Sequence, residues 1–349
     1  MFKSVRIQNF RQFRDLKLDN LAQINLITGE NNTGKTSLLE AVYLLDGPFD
    51  PSRTVTIAQF RGVGITAGNP ELWEWLFHNR NTGSSIYLQG DDDDDRRTSI
   101  GIRLASSSLI ATSSNGSSQI GQIQPSTEPL PALEYHAQVG EGSVQRVELT
   151  WTRDGLKLAP DLRERRAQGF FLPDFHRPGH SEAVRLSRLE AVGREAAVVE
   201  ALQVIDPRLK QLKVLDFGEG ARVYADIGQF PLVPLTAMGQ GFGKLLTIVA
   251  AILLNECPVY LIDEIAEGFH YSTLPDVWRV IVNAAVEQSA QIFATTHSLE
   301  ALNAAVEGSE GHDGSLAFYR LERRKDEIAV VYGEDWRLRT AVSVGTELR

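Results

Sequence analysis

The residues with the clearest chemistry lie in the octapeptide GENNTGKT, from Gly29 to Thr36. It matches the pattern G-x-x-x-x-G-K-[ST], whose backbone N–H groups surround the phosphates of a nucleotide. Lys35 would place a cation between the β- and γ-phosphates, and the Thr36 hydroxyl would be a ligand for Mg²⁺. The helix that follows would point the positive end of its dipole at the phosphates. The predicted nucleotide-binding residues of this phosphate loop are Gly29, Asn31, Asn32, Thr33, Gly34, Lys35 and Thr36.

Two carboxylates end an apolar run in the segment PVYLIDE, from Pro258 to Glu264. Beside a phosphate loop, Asp263 would hold Mg²⁺ through water, and Glu264 would orient or deprotonate the attacking water. Many buried strands end in acids, so this assignment depends on the presence of GENNTGKT in the same chain. The acid in the second position favours hydrolysis over simple nucleotide binding.

His297 follows the next apolar run, in the segment IFATTHS. Ligands collect at the carboxyl ends of the strands in open parallel sheets, so an imidazole there could bond the γ-phosphate. The alternative is an ordinary polar residue in a loop. Glu264 and His297 are therefore the predicted catalytic residues.

The elements that must position these residues alternate between helix and strand. A strand is predicted at residues 23–28 before the phosphate loop, then a helix at 241–254, a strand at 258–262, a helix at 271–287, a strand at 290–295 and a helix at 298–307. This alternation is typical of a parallel sheet with crossover helices.

The middle of the chain has a different pattern. From about residue 87 to 151, alternation of apolar and polar residues predicts antiparallel strands. The run DDDDDRR at 91–97 is predicted to be a hairpin tip, and the Ser- and Gly-rich segment 106–126 a mobile loop. Arginine-rich helical sequence follows at about 181–205.

Composition limits the class of protein. The chain has 349 residues, of which 42% are hydrophobic, and a single cysteine. No apolar run approaches the ~18 residues of a membrane span, so we predict a cytoplasmic protein without membrane segments.

The net charge of −10 argues against non-specific coating of nucleic acid, which depends on lysine and arginine. Arg163, Arg165 and Arg166 nevertheless lie in a locally positive segment and are candidates for DNA contact; a solvated helical lobe is the alternative.

Several motifs together resemble a known family. They are VRIQNFRQFRDLKL, INLITGENNTGKTSLLEAV, MGQG before an apolar helix, YLIDEIAEGFHYSTL, FATTHS and GTELR. The chain resembles compact ABC-type ATPases of the SMC/RecF branch, in particular the AAA15-like ATPase part of OLD-family and phage-defence proteins. The resemblance implies an α/β P-loop fold of ABC/SMC-head type, with a mostly parallel sheet, an antiparallel β subdomain and a small helical lobe.

The same resemblance implies a division of the chain. One composite ATPase domain would comprise an N-terminal lobe at 1–160, an arginine-rich helical lobe at 161–210 and a C-terminal lobe at 211–349. The phosphate loop would be Walker A, Asp263 and Glu264 would be Walker B, and His297 would be the switch histidine. The D-loop would consist of Glu267, Gly268 and His270.

The segment LTAMGQGFGK, residues 235–244, would replace the ABC signature and contact ATP bound to a second subunit. It departs from the usual L-S-G-G-Q, which leaves open which side chain reaches the γ-phosphate. The residues of this signature segment implied to act in trans are Thr236, Gly239, Gln240, Gly241 and Lys244. Gln59 is a candidate glutamine-loop residue and a third Mg²⁺ ligand beside Thr36 and Asp263; a plain surface glutamine is the alternative.

By resemblance, ATP and Mg²⁺ are the cofactors and the protein is a homodimer that closes face to face on ATP. We expect an ATPase switch that controls DNA or a separately encoded effector, in phage defence. The sequence after His297 is too short for the nuclease domain of OLD proteins. A RecF-like DNA-repair ATPase and a non-hydrolysing ATP-dependent scaffold are the alternatives, and a transporter motor is disfavoured.

Overall fold

The computed structural model describes residues 1–62, 71–106, 131–152, 155–159, 169–218, 220–325 and 327–334. Within them the strands form one seven-stranded, one six-stranded and one three-stranded sheet. The Ser- and Gly-rich segment predicted as a mobile loop lies, after its first residue, outside the described residues, and so does GTELR.

The strands of these sheets follow one another along the whole described chain. In chain order they are β1 (Phe2–Phe10), β2 (Phe13–Leu18), β3 (Ile24–Gly29), β4 (Ile86–Asp92), β5 (Arg97–Ser106), β6 (Pro131–Val139), β7 (Gln145–Thr152), β8 (Gly155–Ala159), β9 (Phe170–Leu172), β10 (Gln211–Leu215), β11 (Arg222–Asp226), β12 (Val233–Pro234), β13 (Val259–Ile262), β14 (Gln291–Thr295), β15 (Leu316–Arg324) and β16 (Glu327–Glu334).

The α-helices connect and cover these sheets. They are α1 (Lys35–Asp46), α2 (Ser52–Phe60), α3 (Glu71–Glu74), α4 (His180–Ala191), α5 (Glu195–Leu202), α6 (Gln240–Leu253), α7 (Leu274–Glu287) and α8 (Leu299–Gly308).

The six-stranded sheet has the order β16-β15-β3-β14-β13-β9. Its strands β15, β3, β14, β13 and β9 run parallel, and only β16 is antiparallel. The predicted parallel sheet with crossover helices is thus present. The carboxyl ends of β3, β13 and β14 therefore meet at one edge, where the phosphate loop, Asp263 and His297 follow them.

The apolar runs of these strands reflect burial on both faces, as expected for a parallel sheet. In β13, Val259 and Leu261 belong to the core shared with α1 and the seven-stranded sheet. Tyr260 and Ile262, on the opposite face, belong to the core shared with α6 and α7. Each fully buried large side chain contributes about 1.5–3 kcal/mol to folding, so this sheet is a rigid support for the residues at its edge.

The seven-stranded sheet is antiparallel and has the order β2-β1-β4-β5-β6-β7-β8. It contains the antiparallel strands predicted from residue 87 onward, joined by the two N-terminal strands. The turn between β4 and β5 falls within DDDDDRR, as predicted for a hairpin tip.

The helical lobe and the sheet edge beside it contain two features that were not predicted from the sequence. The helical stretch predicted at 181–205 is two helices, α4 and α5, separated at Gly193, whose φ of 69° is left-handed and favours glycine. The short strand β9, before α4, adds to the edge of the six-stranded sheet beside β13.

Among the described residues, no helix has the length and apolar character needed to cross a membrane.

Candidate functional site

The phosphate loop joins the end of β3 to the start of α1, as its sequence predicts. Gly34, immediately before the helix, has a φ of 97°. A Cβ atom there would lie 2.7 Å from the ring of Phe13, so both the backbone conformation and the space require glycine. Asn31 and Asn32 are exposed at the outer side of the loop, whereas Thr33 is buried and its hydroxyl donates to the Glu30 carbonyl.

Lys35 is the first residue of α1, and only 7% of its side chain is exposed. Its ammonium group donates hydrogen bonds to the carbonyls of Gly29 (3.0 Å) and Glu30 (3.3 Å). The Glu264 carboxylate lies 3.8 Å away. The cation is therefore held inside the phosphate loop and close to the predicted general base.

A cluster of oxygen ligands lies where α1 faces the end of β13. The Thr36 hydroxyl donates to Asp263 Oδ2 at 2.8 Å, and the Thr295 hydroxyl donates to Asp263 Oδ1 at 2.5 Å. Mg²⁺ prefers hydroxyl, carboxylate and water oxygens and usually retains several waters. A paired hydroxyl and carboxylate beside the phosphate loop fit that requirement.

Glu264 has an unusual backbone for a non-glycine residue, with φ at 45°. Such left-handed conformations cost about 1–3 kcal/mol and persist where the surroundings fix them. Its N–H donates to the Thr295 hydroxyl at 2.8 Å. Its carboxylate lies 2.9 Å from His297 Nδ1, and the ring nitrogen is the donor because an ionised carboxylate only accepts. Lys35, Glu264 and His297, predicted from three separate motifs, thus lie together.

The signature segment begins with a short 3₁₀ turn, Leu235–Ala237, and continues into the first residues of α6. Thr236, Gly239 and Gln240 are exposed, whereas Gly241 is buried. A Cβ atom on Gly241 would lie 2.3 Å from the Gly268 carbonyl oxygen, so the signature segment and the D-loop touch through their backbones. Glu267 and His270 are exposed beside this contact. These exposed groups lie at the protein surface, on two segments that meet at one backbone contact.

Lys244 does not lie on that surface, in contrast to the sequence expectation for a residue acting in trans. Its side chain is 3% exposed, and its ammonium group donates to the backbone carbonyls of Glu264 (2.6 Å) and Asp263 (3.4 Å) of the same chain. The reason is depth along the helix: Gln240 is at the exposed start of α6, whereas the helix is buried from Gly241 onward, so a side chain one turn further in is enclosed by the protein. Burial lowers the pKa of Lys244, while the carboxylates of Asp174 and Glu267 oppose that shift.

Asp174 is a site residue that sequence reasoning missed. It follows β9, whose last residue, Leu172, accepts a hydrogen bond from the Asp263 N–H. Burial, together with the Glu267 charge, raises the pKa of Asp174. The signal was available: FFLPD is a short apolar run followed by an acid, the same pattern that identified Asp263. The pattern was not recognised as a strand because it is short and lies in an arginine-rich stretch of the sequence.

Arg323 is a second residue that the sequence did not indicate. It lies on β15, the strand parallel to β3, and its guanidinium donates to the Asn32 carbonyl at 2.8 Å. The hairpin of β15 and β16 therefore contacts the phosphate loop directly.

Gln59 lies in the last turn of α2 and is exposed. Its neighbour Arg61 is ion-paired with Glu40 on α1. Burial alone would lower the pKa of Arg61, but the charges of Glu40 and Asp263 outweigh it and raise that pKa. Arg61, directly after α2, thus connects this segment to α1 through Glu40. The role of Gln59 itself remains a prediction.

The candidate DNA-binding residues Arg163, Arg165 and Arg166 lie outside the described residues. Three other arginines of the same segment are described and engaged internally. Arg185 and Arg188 pair with Glu256, and Arg194 pairs with Glu287. These three contribute less to a free basic face than their number in the sequence suggests.

The fold and the arrangement of motifs define an ATPase head of the ABC/SMC type. An SMC head bound to the C-terminal winged-helix domain of ScpA has a TM-score of 0.53 at 11% identity, with 95% of this chain and 97% of that chain covered. An SMC head with an extended coiled coil from Pyrococcus furiosus has a TM-score of 0.52 at 12% identity, with 99% and 98% covered. This likeness concerns the fold alone and confirms the predicted fold class.

Sequence comparison identifies the family. Residues 24–303 match the family described as "AAA domain, putative AbiEii toxin, Type IV TA system", and the chain belongs to it. An ATP/GTP phosphatase of Helicobacter pylori is 25% identical over 328 residues, which cover 86% of each chain. The DNA replication and repair protein RecF of Exiguobacterium sp. is 51% identical over 43 residues, 12% of each chain. The predicted resemblance to the SMC/RecF branch is confirmed, and the protein is an ATPase of this type.

Proposed function

We propose that this protein hydrolyses ATP at a composite site formed by two copies of the chain. The observation that carries the proposal is the placement of the Glu264 carboxylate, 3.8 Å from the Lys35 ammonium and 2.9 Å from His297 Nδ1. A carboxylate held between a phosphate-binding cation and an imidazole is suited to orient a water that attacks the γ-phosphate.

Each residue of the site has a proposed role. The loop N–H groups and Lys35 bind the β- and γ-phosphates, and Thr36 with Asp263 would hold Mg²⁺. The bound ion would neutralise charge on the phosphate oxygens. Glu264 receives the proton of the attacking water, and His297 orients that carboxylate. The exposed signature segment would complete the site of the second copy.

The experiment is a comparison of ATP turnover by wild type and Glu264→Gln. The amide cannot accept a proton, so turnover should fall about 10²–10⁴-fold while ATP affinity changes by less than a few-fold. Glu310→Gln, at an exposed position after α8, is the matched control and should keep full turnover. Equal, near-zero rates for wild type and Glu264→Gln would instead favour the non-hydrolysing scaffold.

We further propose that ATP-driven closure controls a separately encoded effector in antiviral defence. The family description, which names a putative toxin of a toxin–antitoxin system, supports this context. The head domain solved with ScpA also supports the idea that this fold offers a surface to a partner protein. A pull-down with Glu264→Gln and ATP tests it, because a closed state should retain the effector; recovery of the same proteins without ATP would contradict it.

DNA binding remains an alternative for the partner. Salt-dependent affinity for duplex DNA that is lost when Arg163, Arg165 and Arg166 are replaced by alanine would support it, because phosphate contacts release counterions.

A further inference from the structure

The position of Lys244 is not explained by a role at the surface of the signature segment. It lies in α6, and the whole of that helix from Gly241 to Leu253 is buried. A buried ammonium group needs partners for its protons. It finds them in two backbone carbonyls, those of Glu264 at 2.6 Å and Asp263 at 3.4 Å.

These two carbonyls belong to the two residues that directly follow strand β13 of the six-stranded sheet. The strand β13 ends at Ile262. Beyond it, the N–H groups of Asp263 and Ile265 still bond the neighbouring strands, through the carbonyls of Leu172 and Thr295. Glu264 is held in a left-handed conformation by contacts on both sides of its Cα atom. The Thr295 hydroxyl accepts from its N–H, and the Lys244 ammonium donates to its carbonyl. The direction of the Glu264 side chain depends on both contacts.

The helix that carries Lys244 also carries the surface proposed to face the second copy. Gln240 is exposed at its first position, and Gly241 packs against the backbone of Gly268 in the D-loop. One turn later, the same helix contacts the carbonyl of Glu264. A shift of α6 on docking would therefore move the backbone of the proposed base.

We propose that Lys244 is a positioning residue that acts within its own subunit, where its ammonium group fixes the backbone of Glu264 and couples that carboxylate to the signature segment. The proposal rests on the proposed ATPase function. It gives Lys244 a role in hydrolysis at the site of its own subunit, and not in contact with ATP bound to the second copy.

The first test separates positioning from binding. In Lys244→Met both carbonyls lose the ammonium donor, and that of Glu264 keeps only its bond from the Glu267 N–H. We expect kcat to fall ~10–100-fold, as for a displaced catalytic group. The dissociation constant for ATP, set by the phosphate loop, should change less than about 3-fold. In the Glu264→Gln background, Lys244→Met should cause no further loss of kcat, because residues that act as a unit are not additive. A further loss of similar size there would overturn the proposal.

Thr247→Val is the matched control for folding. Thr247 lies on the same helix and is 1% exposed, and its hydroxyl is 3.1 Å from Glu182 Oε1 and 2.9 Å from the Gly243 carbonyl, away from Glu264. It should lower the melting temperature without lowering kcat. If kcat falls in both variants in proportion to melting temperature, Lys244 is merely structural. Lys244→Arg, which retains the charge and the donors, should recover part of the lost kcat.

A mixing experiment separates cis from trans action. Lys35→Ala lacks a working phosphate loop but offers an intact signature segment. If Lys244 acts in cis, mixing Lys244→Met with Lys35→Ala restores no turnover; if it acts in trans, turnover rises to about a quarter of wild type. Mixing Gln240→Arg with Lys35→Ala should restore turnover in either case. No wild-type turnover at all would refute the proposed function, whereas wild-type turnover with unaffected Lys244→Met would refute only this inference.

Discussion

The Lys35 ammonium lies 3.0 Å from the Gly29 carbonyl, inside the loop proposed to hold the phosphates. Charge-assisted hydrogen bonds of this kind contribute about 1.5–3 kcal/mol, so Lys35→Ala should weaken ATP binding roughly 10- to 100-fold. Isothermal titration calorimetry with MgATP measures the change directly.

Lys17→Ala is the control for that measurement. Lys17 is also a lysine next to a carboxylate, paired with Asp19 at 2.8 Å, but it is exposed on the seven-stranded sheet. Its removal should leave ATP affinity unchanged. Equal affinities of Lys35→Ala and Lys17→Ala would contradict the assignment of the phosphate loop.

At the residue scale, the sequence predicted side chains that belong to contiguous motifs better than those that act across the fold. Lys35, Glu264 and His297 each sit in a pattern whose position relative to a strand end is fixed. Lys244 was interpreted by its place in the signature segment, although the direction of its side chain depends on packing between α6 and the sheet. Asp174 was missed because β9 is only three residues long, too short to show a period.

At the scale of elements, a buried carboxylate joins α4, α6 and the loop before α4. Glu182 is fully buried and accepts hydrogen bonds from the Gly179 N–H, the Ser181 hydroxyl and the Thr247 hydroxyl. Burial alone would raise the pKa of Glu182, but hydrogen bonds from His176 and the Gly179 N–H outweigh it and lower that pKa to about 2. The charged form of Glu182 therefore stabilises the fold.

Glu182→Gln should reduce the free energy of unfolding by about 1–3 kcal/mol at pH 7. Because the pKa falls on folding, the stabilisation is complete above the unfolded value near 4.5 and is lost as the pH falls toward 2. The penalty of the substitution should be constant from about pH 8 to 5.5 and smaller at about pH 3.5, in urea titrations of both proteins. Glu190→Gln, exposed on the same helix, should show no penalty, and a penalty for Glu182→Gln that grows on acidification would refute this account.

The start of α6 supports a prediction about docking. Gln240 is exposed, and the next residue, Gly241, packs against the backbone of Gly268. A larger side chain at position 240 must therefore point into solvent. Gln240→Arg should abolish most ATP turnover at unchanged ATP affinity, because it obstructs the proposed contact of the signature segment with the ATP of the second copy. Ser143→Arg, in the exposed turn between β6 and β7, is the control and should be active. Loss of ATP affinity in Gln240→Arg would mean that the signature segment belongs to its own subunit's site.

At the scale of the whole molecule, the proposed composite site predicts complementation between inactive variants. Lys35→Ala and Gln240→Arg are each expected to be nearly inactive. Random pairing makes half of the dimers mixed, and each mixed dimer has one intact site of two, so an equimolar mixture should reach about a quarter of wild-type turnover. Turnover equal to the sum of the separate variants would show that the sites do not form between subunits.

The proposed closed state also has a direct measurement. Glu264→Gln with saturating MgATP should elute as a dimer in size-exclusion chromatography with light scattering, because the proposed closed state holds ATP between the subunits and this variant would not consume it. Without ATP the same protein should be a monomer. A monomer under both conditions would contradict face-to-face closure.

The order of strands in the six-stranded sheet has a consequence for synthesis of the chain. The strand β3, which leads into the phosphate loop, pairs on one side with β14 and on the other with β15. At ~5–20 residues per second, roughly 15 to 60 s separate the synthesis of Gly29 from that of Arg324. During this time the seven-stranded sheet can form, since all its strands precede residue 160. Helix α1 can pack against that sheet, with which it shares a core. The apolar strand β3 must wait for β14 and β15, and the nascent chain is most exposed to aggregation and proteolysis in that interval.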